Sequence, residues 1–207
     1  PLSLGGEETV FVVRMATLLF RLTLADNIRQ GVTLLYPGDV FRSAFAPPGS
    51  AAHLIALTSG EVLRYRFDNF SRLLSASSAA RDYFDRAVAR QAARQAIHLT
   101  AVGQLDSSQR LVTFLMELAT HIGVPASEGR IVFEMPLSRT EVAEYLGLNA
   151  DTLSRIMSRL RTEGLLTQPD RHTMFVRDLA ALAALSPASQ SMMSLRLAGP
   201  AVDLPER

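Results

Sequence analysis

Leu137–Leu166 reads LSRTEVAEYLGLNADTLSRIMSRLRTEGLL, and local chemistry alone draws two helices in it. Ser138-Arg139-Thr140-Glu141 has the form of a capping box. The Ser138 hydroxyl can accept the third amide of a helix while Glu141 reaches back to the cap's own amide. Val142, Ala143 and Leu146 follow as an apolar face, Gly147 ends the helix, and Leu148 is expected to turn into the core. Asn149 caps a second helix, with Asp151 near its positive end. Leu153, Ile156, Met157 and Leu160 form the buried stripe of that helix, and Gly164 closes it. A short helix, a tight glycine turn and a second amphipathic helix make a helix-turn-helix.

The second helix leaves Ala150, Asp151, Ser154, Arg155, Ser158 and Arg159 facing outward. An Arg near a helix start can donate two hydrogen bonds to guanine O6 and N7, and a carboxylate can accept from cytosine N4. Ser138, Arg139, Thr140 and Arg159 stand where they can hold phosphate, which adds affinity without sequence information. The same spacing has a plainer reading: Asp151 and Arg155 are four apart and can form an ordinary ion pair on a solvated helix face.

Upstream the chain changes character. Over residues 1 to about 75, the runs Val10–Met15, Thr17–Leu24, Val32–Tyr36, His53–Thr58 and Val62–Phe67 are rich in β-branched and aromatic residues. Turn residues such as Pro37-Gly38-Asp39 and Pro47-Pro48-Gly49 separate them. Short strands at that spacing predict a sandwich or barrel, and Pro37-Gly38 fits a type II turn. From about 76 to 122 the period becomes helical. Ala79–Val102 contains neither Pro nor Gly, and Phe84, Val88, Ala92, Gln95 with Ala96, Leu99 and Val102 recur at three- and four-residue steps. A long helix with so narrow a stripe suits a subunit interface; packing on the chain's own strands is the alternative. A second helix is expected from about Ser107 to Ile122, a short strand at Ile131–Met135 and a last helix at Leu179–Leu185. The residues from Ser186 to Arg207 hold three Pro and many small side chains, and their end is left without assigned structure.

Composition narrows the function classes. A chain of 207 residues, 48% hydrophobic and 20% charged, suits a globular fold of one ordinary domain or two small ones. The absence of cysteine excludes a disulfide scaffold, a thiolate zinc site, a cysteine nucleophile and a cysteine-ligated iron–sulfur cluster. The formal charge of +1 does not by itself announce a nucleic-acid partner. All 21 basic residues are Arg, which suits bidentate bonding to phosphate and guanine, although a coding bias gives the same composition. No apolar run is long enough to span a bilayer and no signal segment opens the chain, so a soluble, cytoplasmic protein without a membrane partner is expected. No nucleophile–base pair, metal cluster or phosphate loop is visible, so no enzyme and no metal site are expected.

Leu137–Leu166 resembles the helix-turn-helix signature of the CRP/FNR transcription regulators, most of all the FNR and FixK branch. That branch carries Glu-x-x-Ser-Arg at the start of its recognition helix, matched here by Asp151-Thr152-Leu153-Ser154-Arg155. The resemblance implies that Ser154 and Arg155 contact bases, with Arg155 on a guanine. Asp151 is one methylene shorter than the family's Glu, roughly 1.3 Å of reach. Its contact with cytosine then passes through water, or a TTGAT-like half-site preference relaxes. The strand pair Leu166–Val176 resembles the family's wing, which places Arg171 and His172 at phosphate or simply in a hairpin turn.

The resemblance covers nearly the whole chain. Val10–Phe41 looks like the central strands of the cyclic-nucleotide-type β-roll, Arg81–Val102 like the long dimer helix, and the strands expected before Val10 are short or absent. The fold implied is α+β: an N-terminal double-stranded β-helix (a cyclic-nucleotide-binding-like jelly roll, 1–77), a dimerisation helix (78–104), a C-terminal winged helix-turn-helix (105–186) and a tail (187–207). Phe84, Val88, Ala92, Gln95, Leu99 and Val102 become the homodimer stripe. Double-stranded DNA and RNA polymerase become the partners, and activation of transcription the implied outcome.

A cyclic-nucleotide pocket in this fold uses a Gly-Glu pair for the ribose and an Arg-Ser/Thr pair for the phosphate. Here Val40-Phe41-Arg42-Ser43 follows Gly38-Asp39, with Ser43 near the place of the Glu. Gly49-Ser50-Ala51-Ala52-His53 stands where the phosphate Arg would be. A buried cyclic phosphate without its cation is poorly compensated, so no cyclic-AMP binding is expected, and Arg42 is the remaining cation for an anionic ligand. The iron–sulfur chemistry of oxygen-sensing relatives is excluded with the cysteines. His53, His98, His121 and His172 are scattered without a paired-ligand spacing. The expectation is a regulator without a cofactor; a haem- or small-molecule-sensing regulator of the same fold is the alternative.

Overall fold

The computed structural model describes residues 1–4, 6–48 and 50–195. They fall into two compact units that meet in sequence at Gln95 and Ala96. In the first, the strands are β1 (Leu2–Ser3), β2 (Thr9–Val13), β3 (Leu18–Thr23), β4 (Arg29–Leu35), β5 (Val40–Arg42), β6 (Ala51–Ala56) and β7 (Val62–Arg66). Among the described residues they form two antiparallel sheets, ordered β1-β6-β3-β4 and β5-β2-β7. Phe11, Val13, Leu18, Phe20, Phe41 and Leu54 fill the space between them. Every residue of β2 is buried because the strand has two apolar surfaces to satisfy. Phe11 and Val13 enter that interior, while Val10 and Val12 lie under helical residues Phe70, Tyr83 and Ala87.

The Pro37-Gly38 turn forms as its sequence dictates. Gly38 has φ +92°, and the Asp39 amide donates to the Tyr36 carbonyl at 2.9 Å. The sequence reading places no helix over α1 (Phe67–Ala76), whose first residue ends the expected strand Val62–Phe67. Its helical start lacks the usual signal, because Arg66 stands at the cap and supplies no side-chain hydrogen bond. The segment is nonetheless amphipathic, and Phe70 is buried.

Helix α2 (Ser78–Gln104) is continuous over the range expected for the long helix. Its first turns bury a face one residue away from the expected stripe: Ala80, Tyr83, Ala87, Gln91 and Arg94. Tyr83 donates its hydroxyl to the Gly38 carbonyl at 2.8 Å, and the Arg94 guanidinium bonds the Asp39 carboxylate. Both partners of that ion pair are only 4% exposed. Burial pushes the Asp39 carboxyl up from the usual carboxylate range, and the adjacent Arg94 opposes the shift. In the expected interface stripe, Ala92 and Leu99 are exposed, while Phe84, Val88, Gln95 and Val102 are half-buried. Phe84 is partly satisfied within the chain, edge-on to Phe70 with ring centroids 5.6 Å apart.

The second unit is built around α3 (Ser107–His121). Asp106 caps it in a capping box with Gln109, and every residue from Leu111 to Thr120 is buried. Strands β8 (Val124–Pro125), β9 (Ile131–Glu134), β10 (Leu166–Thr167) and β11 (Thr173–Val176) form an antiparallel sheet ordered β10-β11-β9-β8. Helices α4 (Arg139–Leu146) and α5 (Ala150–Thr162) lie between β9 and β10 in sequence. Two short helices follow, α6 (Leu179–Ala183) and α7 (Ser189–Ser194). α7 falls in the segment read as tail. It packs on α3 through buried Met192, and the Ser186 and Thr113 hydroxyls share a hydrogen bond of 2.7 Å beside it. The rest of the tail, 196–207, and Gly49 of the expected phosphate segment lie outside the described residues.

Candidate nucleic-acid interface

The capping box that starts α4 is formed in both directions. Glu141 accepts the Ser138 amide at 2.9 Å and its hydroxyl at 2.7 Å, and the Glu141 amide donates to the Ser138 hydroxyl oxygen at 3.3 Å. Gly147, at φ +61°, ends the helix. Its amide reaches the Glu144 carbonyl at 3.3 Å, and Leu148 donates to Ala143 at 2.9 Å. These paired bonds satisfy the last carbonyls and reverse the chain in one step. Leu148 is half-buried rather than fully inserted. Asn149 then accepts the Asp151 amide at 2.8 Å and starts α5.

Leu153, Ile156 and Leu160 bury one side of α5, and Met157 is half-buried beside them. The opposite side carries the expected reading residues. Asp151 and Arg155 are exposed and Ser154 is half-buried. Among the described residues they form no ion pair with each other: the Arg155 guanidinium donates to the Thr152 hydroxyl at 3.4 Å. The ion pair that their spacing allows is not formed in this structure.

The phosphate candidates separate into two groups. Ser138, Arg139 and Thr140 are exposed at the start of α4, and Arg171 and His172 are exposed at the turn between β10 and β11. In that turn Asp170 accepts the amides of His172 and Thr173, both at 2.7 Å, and these bonds hold its carboxyl below the usual range. Arg159 differs from the expectation. Its guanidinium bonds the Ser108 hydroxyl on α3 and lies 3.8 Å from the Glu163 carboxylate, so it is engaged within the unit. Sequence spacing gave no sign of this, because Ser108 is far away along the chain.

A groove of about 520 Å³ runs between the start of α4, α5 and the β10–β11 wing. Leu137, Val142, Leu153 and Met174 contribute to its apolar lining, and Ser138, Arg139, Ser154, Arg171 and His172 supply polar groups. It brings together one base-reading candidate and four phosphate candidates from three elements. Gln168 also lines it, a residue that the sequence reading passed over.

In the first unit, the residues in the places of a cyclic-nucleotide pocket are occupied by structure. Ser43 is buried and accepts the Thr9 amide at 2.9 Å. Arg42 bonds Glu8 and lies 4.2 Å from the Phe67 ring centroid. Phe20 and Phe41 pack with centroids 4.7 Å apart in the interior. His53 is half-buried in β6, opposite Arg21 of β3. His98 stacks on Tyr145 of α4 with centroids 4.1 Å apart, and burial holds it down at about 4. No group of three or more metal-ligating side chains occurs among the described residues, and no helix among them is long and apolar enough to cross a membrane.

A capped helix, a glycine turn, an arginine-bearing second helix and a β-wing beside it define a winged helix-turn-helix DNA-binding protein. Residues 109–185 match the Crp-like helix-turn-helix domain. The chain is 28% identical over 182 residues to the transcriptional regulatory protein btr of Bordetella pertussis, covering 86% of this chain and 73% of that one. It is 28% identical over 172 residues to the nitrogen fixation regulation protein FixK of Rhizobium meliloti, covering 82% and 74%. In fold it is similar to FixK2 from Bradyrhizobium japonicum, with TM-score 0.73, 23% identity and 89% and 91% of the two chains covered. Residues 109–185 thus form a Crp-like helix-turn-helix domain, and the chain as a whole is similar to transcription regulators of the CRP/FNR type, on their FNR/FixK side.

Proposed function

We propose that this DNA-binding regulator works as a homodimer on an inverted repeat with FNR/FixK-like half-sites, without cyclic AMP and without a resident cofactor. The observation that carries the reading is the outward side of α5. Ser154 lines a groove to which Arg139 and Arg171 also contribute, Arg155 is exposed next to it in sequence, and its guanidinium donates to the neighbouring Thr152 hydroxyl. Base contacts from α5 would specify sequence, while the α4 and wing arginines would hold phosphate.

The dimer is supported by the stripe on α2 that runs through Val88, Ala92, Leu99 and Val102, of which Leu99 is 74% exposed. Independence from cyclic AMP is supported by Arg42 and Ser43, whose polar groups already bond Glu8 and Thr9. Activation is supported by similarity to FnrL of Cereibacter sphaeroides, named a transcriptional activator protein, and an activating role would bring the protein to RNA polymerase. The role is regulatory rather than catalytic, and its place is the cytoplasm.

Selection of bound duplexes from a random pool tests this reading. The expected result is an inverted repeat whose half-site centres lie about 10 bp apart or a multiple of that, the spacing of two recognition helices on one face of DNA. Enrichment of no sequence, or of a single unrepeated half-site by a monomer, overturns it. An absorbance scan of the purified protein should lack a Soret band.

A further inference from the structure

Ser154 is fixed by its helix, but Arg171 sits on a turn, and a phosphate contact from a turn is only as well placed as the turn itself. We propose that Arg161 and Gln168 are positioning residues that set the wing against the recognition helix. This rests on the reading of the groove as the DNA interface.

Arg161 lies in the last turn of α5. Its guanidinium donates to the Ser158 hydroxyl at 3.0 Å and to Gln168 Oε1 at 3.4 Å. Gln168 follows β10 directly, and its Nε2 donates to the Arg171 carbonyl at 3.3 Å. One side-chain amide thus uses its acceptor on the helix and its donor on the wing turn. The two Asp170 bonds make the turn rigid within itself, but both stay inside the turn. The Arg161–Gln168–Arg171 chain links it to α5, while the Met135 amide, donating to the His172 carbonyl at 2.7 Å, holds it to the segment after β9. Gln168, Arg171, Ser154 and Met157 all line the groove; the Met135 bond fixes the His172 side of the turn, and the Gln168 link adjusts the Arg171 side against α5, where Arg171 would meet a phosphate.

Gln168→Asn or Gln168→Ala would remove the link while leaving the buried apolar residues of the unit untouched, because Gln168 is half-buried and lies at the groove rather than in the core. Glutamate keeps the acceptor for Arg161 and strengthens it with charge, but offers no donor to the Arg171 carbonyl. The two halves of the link are therefore separable.

The test is the salt dependence of binding to the selected duplex for the wild type, Q168A, Q168E, R171A and the Q168A/R171A double variant. Q168A and R171A should each lower affinity about tenfold at moderate salt. Each should reduce the slope of log K against log salt by roughly 1.8 for the dimer, the loss of one phosphate contact in each half-site. In the R171A background Q168A should cost nothing further, because Gln168 acts through Arg171. Q168E should behave as Q168A. An unchanged slope for Q168A, additive losses in the double variant, or wild-type binding by Q168E would overturn the proposal. So would a lowered Tm for Q168A with the slope intact, which would make Gln168 a stabilising residue alone. Failure of the wild type to bind any duplex is a different result, and it overturns the DNA reading itself.

Discussion

Two arginines of the first unit, Arg42 and Arg94, and three of the second, Arg139, Arg155 and Arg171, have opposite surroundings. In the first, Arg94 is buried against Asp39, and Arg42 is held by Glu8 and the face of Phe67. In the second, Arg139, Arg155 and Arg171 stand exposed, and the bond recorded for Arg155 is a long one to Thr152. A guanidinium already bonded to a buried carboxylate can take an external anion only by leaving an uncompensated charge behind. One that faces water exchanges hydration for phosphate or a guanine edge at little structural cost. The anion-binding capacity of these groups is therefore concentrated on the reading surface, while the arginines around the β-roll turn serve cohesion.

Three measurements would break or sharpen that contrast. The largest effect is expected at Asp39. Asp39→Ala strands the buried Arg94 charge and should cost about 3–5 kcal/mol of stability, read from denaturant unfolding. The double variant D39L/R94M should recover most of it, and a stable D39A protein would show that Arg94 reaches solvent instead.

The second measurement concerns His98. Burial lowers its pKa from 6.5 to about 4, so folding favours the neutral ring. Its contribution is fully present above pH 6.5 and is lost as pH falls from 6.5 towards 4, a loss of at most about 3 kcal/mol. His98→Phe keeps a ring against Tyr145 and removes the titration, so its stability should vary less over that window. Identical profiles for the two proteins would contradict the buried stack.

The smallest effect is expected at Arg155. Arg155→Ala should leave unfolding unchanged and reduce discrimination between specific and random DNA by about 1–3 kcal/mol per half-site. Binding assays on both duplexes would show it, and undiminished discrimination would remove Arg155 from base reading.

What could be read from the sequence was local. The Ser138–Glu141 box, the left-handed Gly147, the Asn149 cap and the Pro37-Gly38 turn each depend on residues a few positions apart, and all four formed as expected. The long helix could be read for the same reason, but its buried face could not. Gln91 and Arg94 are polar, and Arg94 turns inward only because Asp39, 55 residues earlier, meets it there. Arg159 shows the same limit on the reading helix, where spacing marked it for phosphate and a distant Ser108 holds it instead. α1 escaped notice because its start has no capping side chain, and Val62–Phe67 ran straight into it as an apparent strand. α7 was missed because the proline and small residues around it mask a helix that depends on packing against α3.

The unbroken burial of Leu111–Thr120 in α3 bears on how this molecule opens. Amides closed off on every side exchange with deuterium only when the surrounding unit comes apart, whereas those of the exposed wing turn exchange through small local fluctuations. A deuterium-uptake map should therefore show α3 as the slowest segment of its unit and Asp170–His172 among the fastest. Uptake in the wing should slow on addition of the selected duplex while α3 stays as it was.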